Sequence, residues 1–129
     1  QGAMDETVKY VKERKQFGRT IGQFQNTQFQ LADLDTKIEA ARLLVRAAAF
    51  KKDQKLPFSV DAARAKLFAA ETAMEVTTKA VQFHGGYGYM AERPLERMYR
   101  DAKITEIYEG TSQVQQMVIA SGVFDYRQK

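Results

Sequence analysis

The sequence predicts an all-α fold, a bundle of about five helices around a four-helix up-and-down core, and three observations predict it. Apolar residues recur at alternating spacings of three and four over two long stretches, which puts them on one face of a helix in each. Glycine and proline fall between those stretches, where they end helices, and not within them. No run alternates apolar and polar residues with the period of a strand, and no internal repeat is found.

Each element follows from its own residues. Met4, Val8 and Val11 recur at helical spacing among Lys9, Lys12 and Glu13, in a first helix expected to stop at Gly18. Residues 16–25, with Gly18 and Gly22 and no periodicity, predict a connecting loop. Thr27 and Gln30 fit a capping box, in which a hydroxyl and an amide satisfy free N–H groups at a helix start. The second helix follows, with Leu31, Leu34, Ile38, Ala41, Val45 and Ala48 facing inward.

Lys55, Leu56 and Pro57 interrupt it, and Ser59 caps a third helix whose first turn carries Asp61, where negative charge suits the positive end of the dipole. Its face is Val60, Ala63, Leu67, Ala70, Met74 and Val81, its end lies near Gly85 and Gly86, and it pairs with the second helix as an antiparallel hairpin. After an aromatic loop at 87–90, Pro94 opens a shorter helix with Leu95, Met98 and Ala102 on one face. Ser112 and Gln115 form a second capping box and open a last helix that carries Val114, Met117 and Val118 and stops around Gly122. The apolar stripes of the two long helices are regular enough to cover a neighbouring subunit, so an oligomer is expected.

Composition sets the class. At 129 residues the chain suits one domain, and 44% hydrophobic with 28% charged residues, two prolines and no tryptophan describe a soluble, mostly helical protein. The absence of cysteine excludes disulfides, thiolate metal sites and a thiol nucleophile. A net charge of +4, with acids interleaved among bases, is weak support for nucleic acid and equally suits a phosphate-bearing cofactor. No apolar run approaches the roughly 18 residues of a membrane span, and the N-terminus lacks the layout of a signal peptide. Because the chain begins at Gln1 and becomes helical almost at once, it reads as a piece of something longer.

Four segments bear on chemistry. A di-iron centre would need paired Glu-x-x-His motifs, and the one histidine, His84, has no glutamate three residues before it. His84 by itself reads as a hydrogen-bonded structural residue. The segment QFHGG, residues 82–86, is by physics alone a helix C-cap; the sharper alternative is that missing side chains admit a cofactor to the backbone. Arg14 to Arg19 is either a solvated helix end or a basic, aromatic grip for a pyrophosphate and a ring system. In IYEGTSQ, residues 107–113, Glu109 is either a surface acid near a helix start or a general base. An apolar crevice would push such a carboxyl up and a helix dipole would push it down, and substrate that excludes water would favour the base.

Taken together, ERKQFGR at 13–19, Gln25, QFHGGYGY at 82–89 and YRDAKITEIYEGTSQVQ at 99–115 closely resemble, in order and spacing, the C-terminal domain of the acyl-CoA dehydrogenases. The short-chain, butyryl-CoA dehydrogenase-like branch is the nearest. The resemblance implies that 1–129 is the C-terminal helical domain of a homotetrameric FAD flavoprotein whose N-terminal helical and middle β-domains are absent from this chain. It implies that Arg14, Gln25, Gln82, Phe83, His84, Gly85, Gly86, Thr111, Ser112 and Gln113 contact FAD, some across a subunit boundary. Glu109 matches the catalytic base that removes the α-proton of an acyl-CoA while FAD accepts hydride from the β-carbon, giving a trans-2-enoyl-CoA. Gly110 would leave room for the acyl chain, and the Glu109 N–H would help polarise the thioester carbonyl. Gln116 departs from the basic residue that many relatives carry. Further implications are an electron-transfer flavoprotein as acceptor, no metal, no nucleic acid, a bacterial cytoplasmic location over a mitochondrial one, and an isolated domain without activity. The alternatives are a helical assembly module that keeps the family sequence, and an acyl-CoA oxidase.

Overall fold

The computed structural model describes residues 1–125. Helix α1 (Gly2–Glu13) is followed by a ribbon of two short strands, β1 (Lys15–Gln16) and β2 (Arg19–Thr20), and a 3-10 turn (Ile21–Gln23). Two long helices come next, α2 (Gln25–Asp53) and α3 (Ser59–His84), then a single helical turn α4 (Gly86–Tyr89), α5 (Leu95–Ile104) and α6 (Ser112–Val123). The fold is all-α, as the periodicity predicts. Among the described residues no helix is long and apolar enough to cross a membrane.

Helices α2 and α3 run antiparallel. Lys79 Nζ donates to Gln30 at 3.0 Å, Lys37 pairs with Glu75 at 2.7 Å and Lys51 with Asp61 at 2.7 Å, so the bonded positions descend one helix as they climb the other. Between these polar clasps the seam is built on small residues, with Ala41, Ala48, Ala63 and Ala70 buried, which lets the axes approach closely. Helices α1, α5 and α6 all pack on α3, which is the centre of the bundle. The core joins Ala3 and Met4 of α1, Leu34 of α2, Val76 and Ala80 of α3 and Leu95 of α5, with Val8, Ile38 and Met98 against its rim.

Several local expectations are corrected. Helix α1 stops at Glu13, because Arg14 is extended and its carbonyl accepts from Ile21 N at 2.8 Å across the ribbon. The supposed loop contains the β1–β2 pair, with Lys15 opposite Thr20 and Gln16 opposite Arg19. The two turn residues, Phe17 and Gly18, have φ of 53° and 77°, the positive values that a two-residue hairpin requires to match strand twist. Thr27 is buried inside the first turn of α2 and caps nothing: the helix begins two residues earlier, directly out of the 3-10 turn, with Phe24 at its N-cap. A Gln side chain does act at that turn, where Gln23 Oε1 accepts from Thr20 N at 3.0 Å. Val45 is 48% exposed and does not belong to the inward face.

Helix α3 begins at Ser59 with Phe58 as N-cap and no side-chain cap, so Ser59 does not cap it. Residues 86–89 form the turn α4 in place of a loop, and Pro94 is the N-cap of α5. On α6 the capping oxygen is Thr111 Oγ1, which accepts from Val114 N at 3.3 Å; Gln115 points its amide at the preceding turn. Val114 and Met117 are largely exposed, so they are not the inward face of α6. That helix meets α3 through Gly122, where a Cβ would come within 2.7 Å of Val60.

Candidate functional site

One cavity of about 470 Å³ lies where the end of α1 meets the α3–α4 junction. It collects Arg14, Gln82, Phe83, His84, Gly85 and Gly86, residues from two distant segments that the sequence singled out, and Tyr10 and Met90 help to close it. Arg14 reaches it because its main chain is fixed at both ends, N–H to Tyr10 O at 2.8 Å and C=O to Ile21 N at 2.8 Å, while its side chain stays exposed. Gln25 is exposed at the first residue of α2 and does not line the cavity.

The three glycines at the junction have different reasons to be glycine. Gly85 has φ 61° and ψ −137°, a conformation that side chains rarely adopt. Gly88 is buried, and a Cβ there would stand 2.7 Å from Val81 O and 2.8 Å from His84 Cβ, so bare backbone is what lets α4 fold against α3. Gly86 has neither excuse, since a Cβ there would meet nothing within 4 Å. The open space beside Gly85 and Gly86, with the Arg14 guanidinium and the Gln82 amide on the same cavity, is a cradle suited to a polar, phosphate-bearing group.

His84 is part of the wall. It is 3% exposed, its Nδ1 lies 2.8 Å from Ala80 O, and its ring stacks on Tyr10 with centroids 4.1 Å apart. A carbonyl only accepts, so Nδ1 carries the hydrogen. Burial pushes its pKa below 6.5, partly countered by the Ala80 carbonyl and reinforced by nearby Arg93. The structural reading of this histidine holds.

The second group is the turn into α6. Glu109 and Gly110 have φ of 53° and 90°, two successive left-handed residues, and for Glu109 that conformation costs about 1–2 kcal/mol. Such strain persists where surroundings over-determine it. Here Gln115 Nε2 donates to Glu109 O at 3.2 Å and to Gly110 O at 3.1 Å, Lys66 Nζ of α3 donates to Gly110 O at 2.7 Å, and Ser112 N closes on Glu106 O at 3.0 Å. A Cβ on Gly110 would fall 2.8 Å from Gln115 Nε2, so this tether needs the glycine. Glu109 itself is exposed, and the Ile107 and Tyr108 that precede it are 51% and 50% exposed, so no apolar crevice encloses it within this chain. Among the described residues its N–H has no acceptor. Beyond the turn, Thr111, Ser112 and Gln113 line a cavity of about 310 Å³ with Lys103 and Glu106, and Ser112 Oγ is buried there with no protein partner. A ligand atom within reach would satisfy it.

Sequence reasoning missed Tyr10, Lys66 and Gln115 in these roles. Tyr10 was legible in principle, one helical turn before Arg14 on the same face. Lys66 was not: 44 residues separate it from the carbonyl it binds.

Residues 1–124 match the family described as acyl-CoA dehydrogenase, C-terminal domain. The chain belongs to this family. A short-chain-specific acyl-CoA dehydrogenase of Clostridium acetobutylicum is 60% identical over 124 residues, which are 96% of this chain and 33% of that protein. The solved butyryl-CoA dehydrogenase of Megasphaera elsdenii superposes with a TM-score of 0.93 at 53% identity, over 95% of this chain and 32% of that one. A chain solved in work on the electron transferring flavoprotein of Acidaminococcus fermentans and flavin-based electron bifurcation gives 0.95 at 55% identity, over 97% and 33% respectively. The chain therefore spans about a third of the length of the acyl-CoA dehydrogenases it matches.

Proposed function

We propose that this chain is the C-terminal domain of a flavin-dependent, short-chain acyl-CoA dehydrogenase in which Glu109 is the catalytic base. The observation that carries the reading is the turn at Glu109: an exposed carboxylate on a strained backbone held by hydrogen bonds from α3 and α6, with its own N–H left open. A base needs a fixed place, and an unpaired amide beside it is a ready donor for a substrate carbonyl. In the reaction the α C–H bond breaks, its proton passes to the Glu109 carboxylate, and the electron pair left behind forms the double bond of the enoyl-CoA as hydride leaves the β-carbon. FAD, when bound, supplies the oxidant that takes up this hydride. The Glu109 N–H draws on the thioester oxygen and makes the α-proton more acidic.

The residues present fit FAD. Arg14 and Gln82 offer charge and hydrogen bonds to its phosphates and ribose, Gly85 and Gly86 leave backbone within reach, and Ser112 Oγ has an open valence for a flavin-side group. Both cavities are open, and in this reading other domains or subunits of the parent complete their walls. The parent is read as a homotetramer that passes its electrons to an electron-transfer flavoprotein, in the bacterial cytoplasm. In the full-length parent, Glu109→Gln should keep its flavin while bleaching of the flavin by butyryl-CoA slows by about 10²–10⁴-fold. Bleaching at the unaltered rate would reassign the base, and stoichiometric peroxide in air would make the parent an oxidase.

A further inference from the structure

We infer that Lys66 is a positioning residue for the base: by holding the Gly110 carbonyl it ties the Glu109 turn to the central helix of the bundle. The inference rests on the reading of Glu109 as the base. Lys66 lies in α3 among Ala62, Ala63 and Ala65, half-buried, where a lysine would ordinarily extend its ammonium to water. Instead its Nζ stands 2.7 Å from a main-chain carbonyl of the catalytic turn, and among the described residues it has no carboxylate within ion-pair distance. A charged donor on a neutral carbonyl is a strong, directional bond.

The other tether on this turn is local. Gln115 belongs to α6, only five and six residues beyond the carbonyls it holds, so it moves with the segment it binds. Lys66 supplies the long-range bond. Together the two donors occupy both acceptor directions of Gly110 O, which holds the peptide plane at the second of two successive left-handed residues. Without Lys66 the turn keeps its link to α6 but loses its link to α3. Glu109 is then free to relax toward the right-handed region, which redirects its Cα–Cβ bond and swings the carboxylate away from a fixed α-carbon. A displacement of about 1 Å in such a group is worth up to about a hundred-fold in rate.

The test uses the full-length flavoprotein with Lys66→Met, Lys66→Arg and Glu109→Gln side by side, reading flavin content, the limiting rate of bleaching and the butyryl-CoA concentration that gives half that rate. Lys66→Met should retain flavin and lose about ten- to a hundred-fold in limiting rate with little change in half-saturation, and Lys66→Arg should recover much of the rate. If Lys66→Met bleaches at the parent rate while Glu109→Gln is slowed as expected, the role of Lys66 is overturned and the base stands. If Glu109→Gln bleaches normally, the reading beneath it fails. Should Lys66→Met not fold, Lys66→Cys offers a chemical route in a parent whose other domains are first cleared of cysteine, since this domain has no native one. Alkylation with 2-bromoethylamine rebuilds an ammonium of lysine length and should raise the rate, whereas iodoacetamide, which adds no charge, should leave it low. Equal effects of the two reagents would overturn the proposal.

Discussion

Burial favours the neutral ring of His84 against the opposing pull of the Ala80 carbonyl, and this ties the stability of the cavity wall to pH. The unfolded chain binds a proton on this ring as pH falls through 6.5, while the folded chain resists until its lower pKa is reached. The contribution is therefore complete above 6.5, is lost as pH falls from 6.5 to the folded pKa, and changes no further below it. Because His84 is the single histidine, its ring resonances report alone: an NMR titration should give a midpoint below 6.5, and a midpoint above that value would contradict the burial argument. At this scale Glu109 was legible as a carboxylate at a turn before a helix, and His84 as a structural residue. What fixes the carboxylate in place was not, because Lys66 reads as one more basic residue in an alanine-rich helix until the fold brings Gly110 to it.

Elements were legible where one apolar stripe faces the core of the bundle. Met4, Val8 and Val11 of α1 and Leu95, Met98 and Ala102 of α5 all pack as their spacing requires. Helix starts were harder. Hydroxyl-bearing residues at 27, 59 and 112 all satisfied a capping pattern, yet α2 and α3 begin without a side-chain cap, α2 because a 3-10 turn runs straight into it. The α3–α4 junction separates two causes of glycine by experiment. Gly88→Ala drives a Cβ into Val81 O and should destabilise the chain by about 1–3 kcal/mol in thermal or urea unfolding. Gly86→Ala, with open space around it, should stay within about 0.5 kcal/mol of the unaltered chain, yet lower flavin occupancy in the full-length parent. Full occupancy in that variant would remove Gly86 from the cofactor cradle.

For the whole molecule, the long helix α2 carries two seams. Its buried positions are Thr27, Leu34, Ala41 and Ala48, a seven-residue repeat that faces α3. Phe29, Leu43 and Phe50 keep the same repeat two residues further on, which turns them to the far side, and there they are 63%, 56% and 63% exposed. Reading the stripe as alternating threes and fours took in Val45, which is 48% exposed, and left Phe29, Leu43 and Phe50 unread. Two large aromatic residues and a leucine on an open helical seam leave apolar surface in contact with water, and a second helix laid along it is the economical cover. In the proposed tetramer that cover comes from a neighbouring chain, and the cofactor cradle is completed by the same association. Phe50→Glu should therefore act on assembly and not on the fold: the isolated domain should keep its helical content and unfolding midpoint, while the full-length parent should sediment as smaller species and lose flavin. Unchanged sedimentation together with full flavin would show that this seam stays uncovered in the parent.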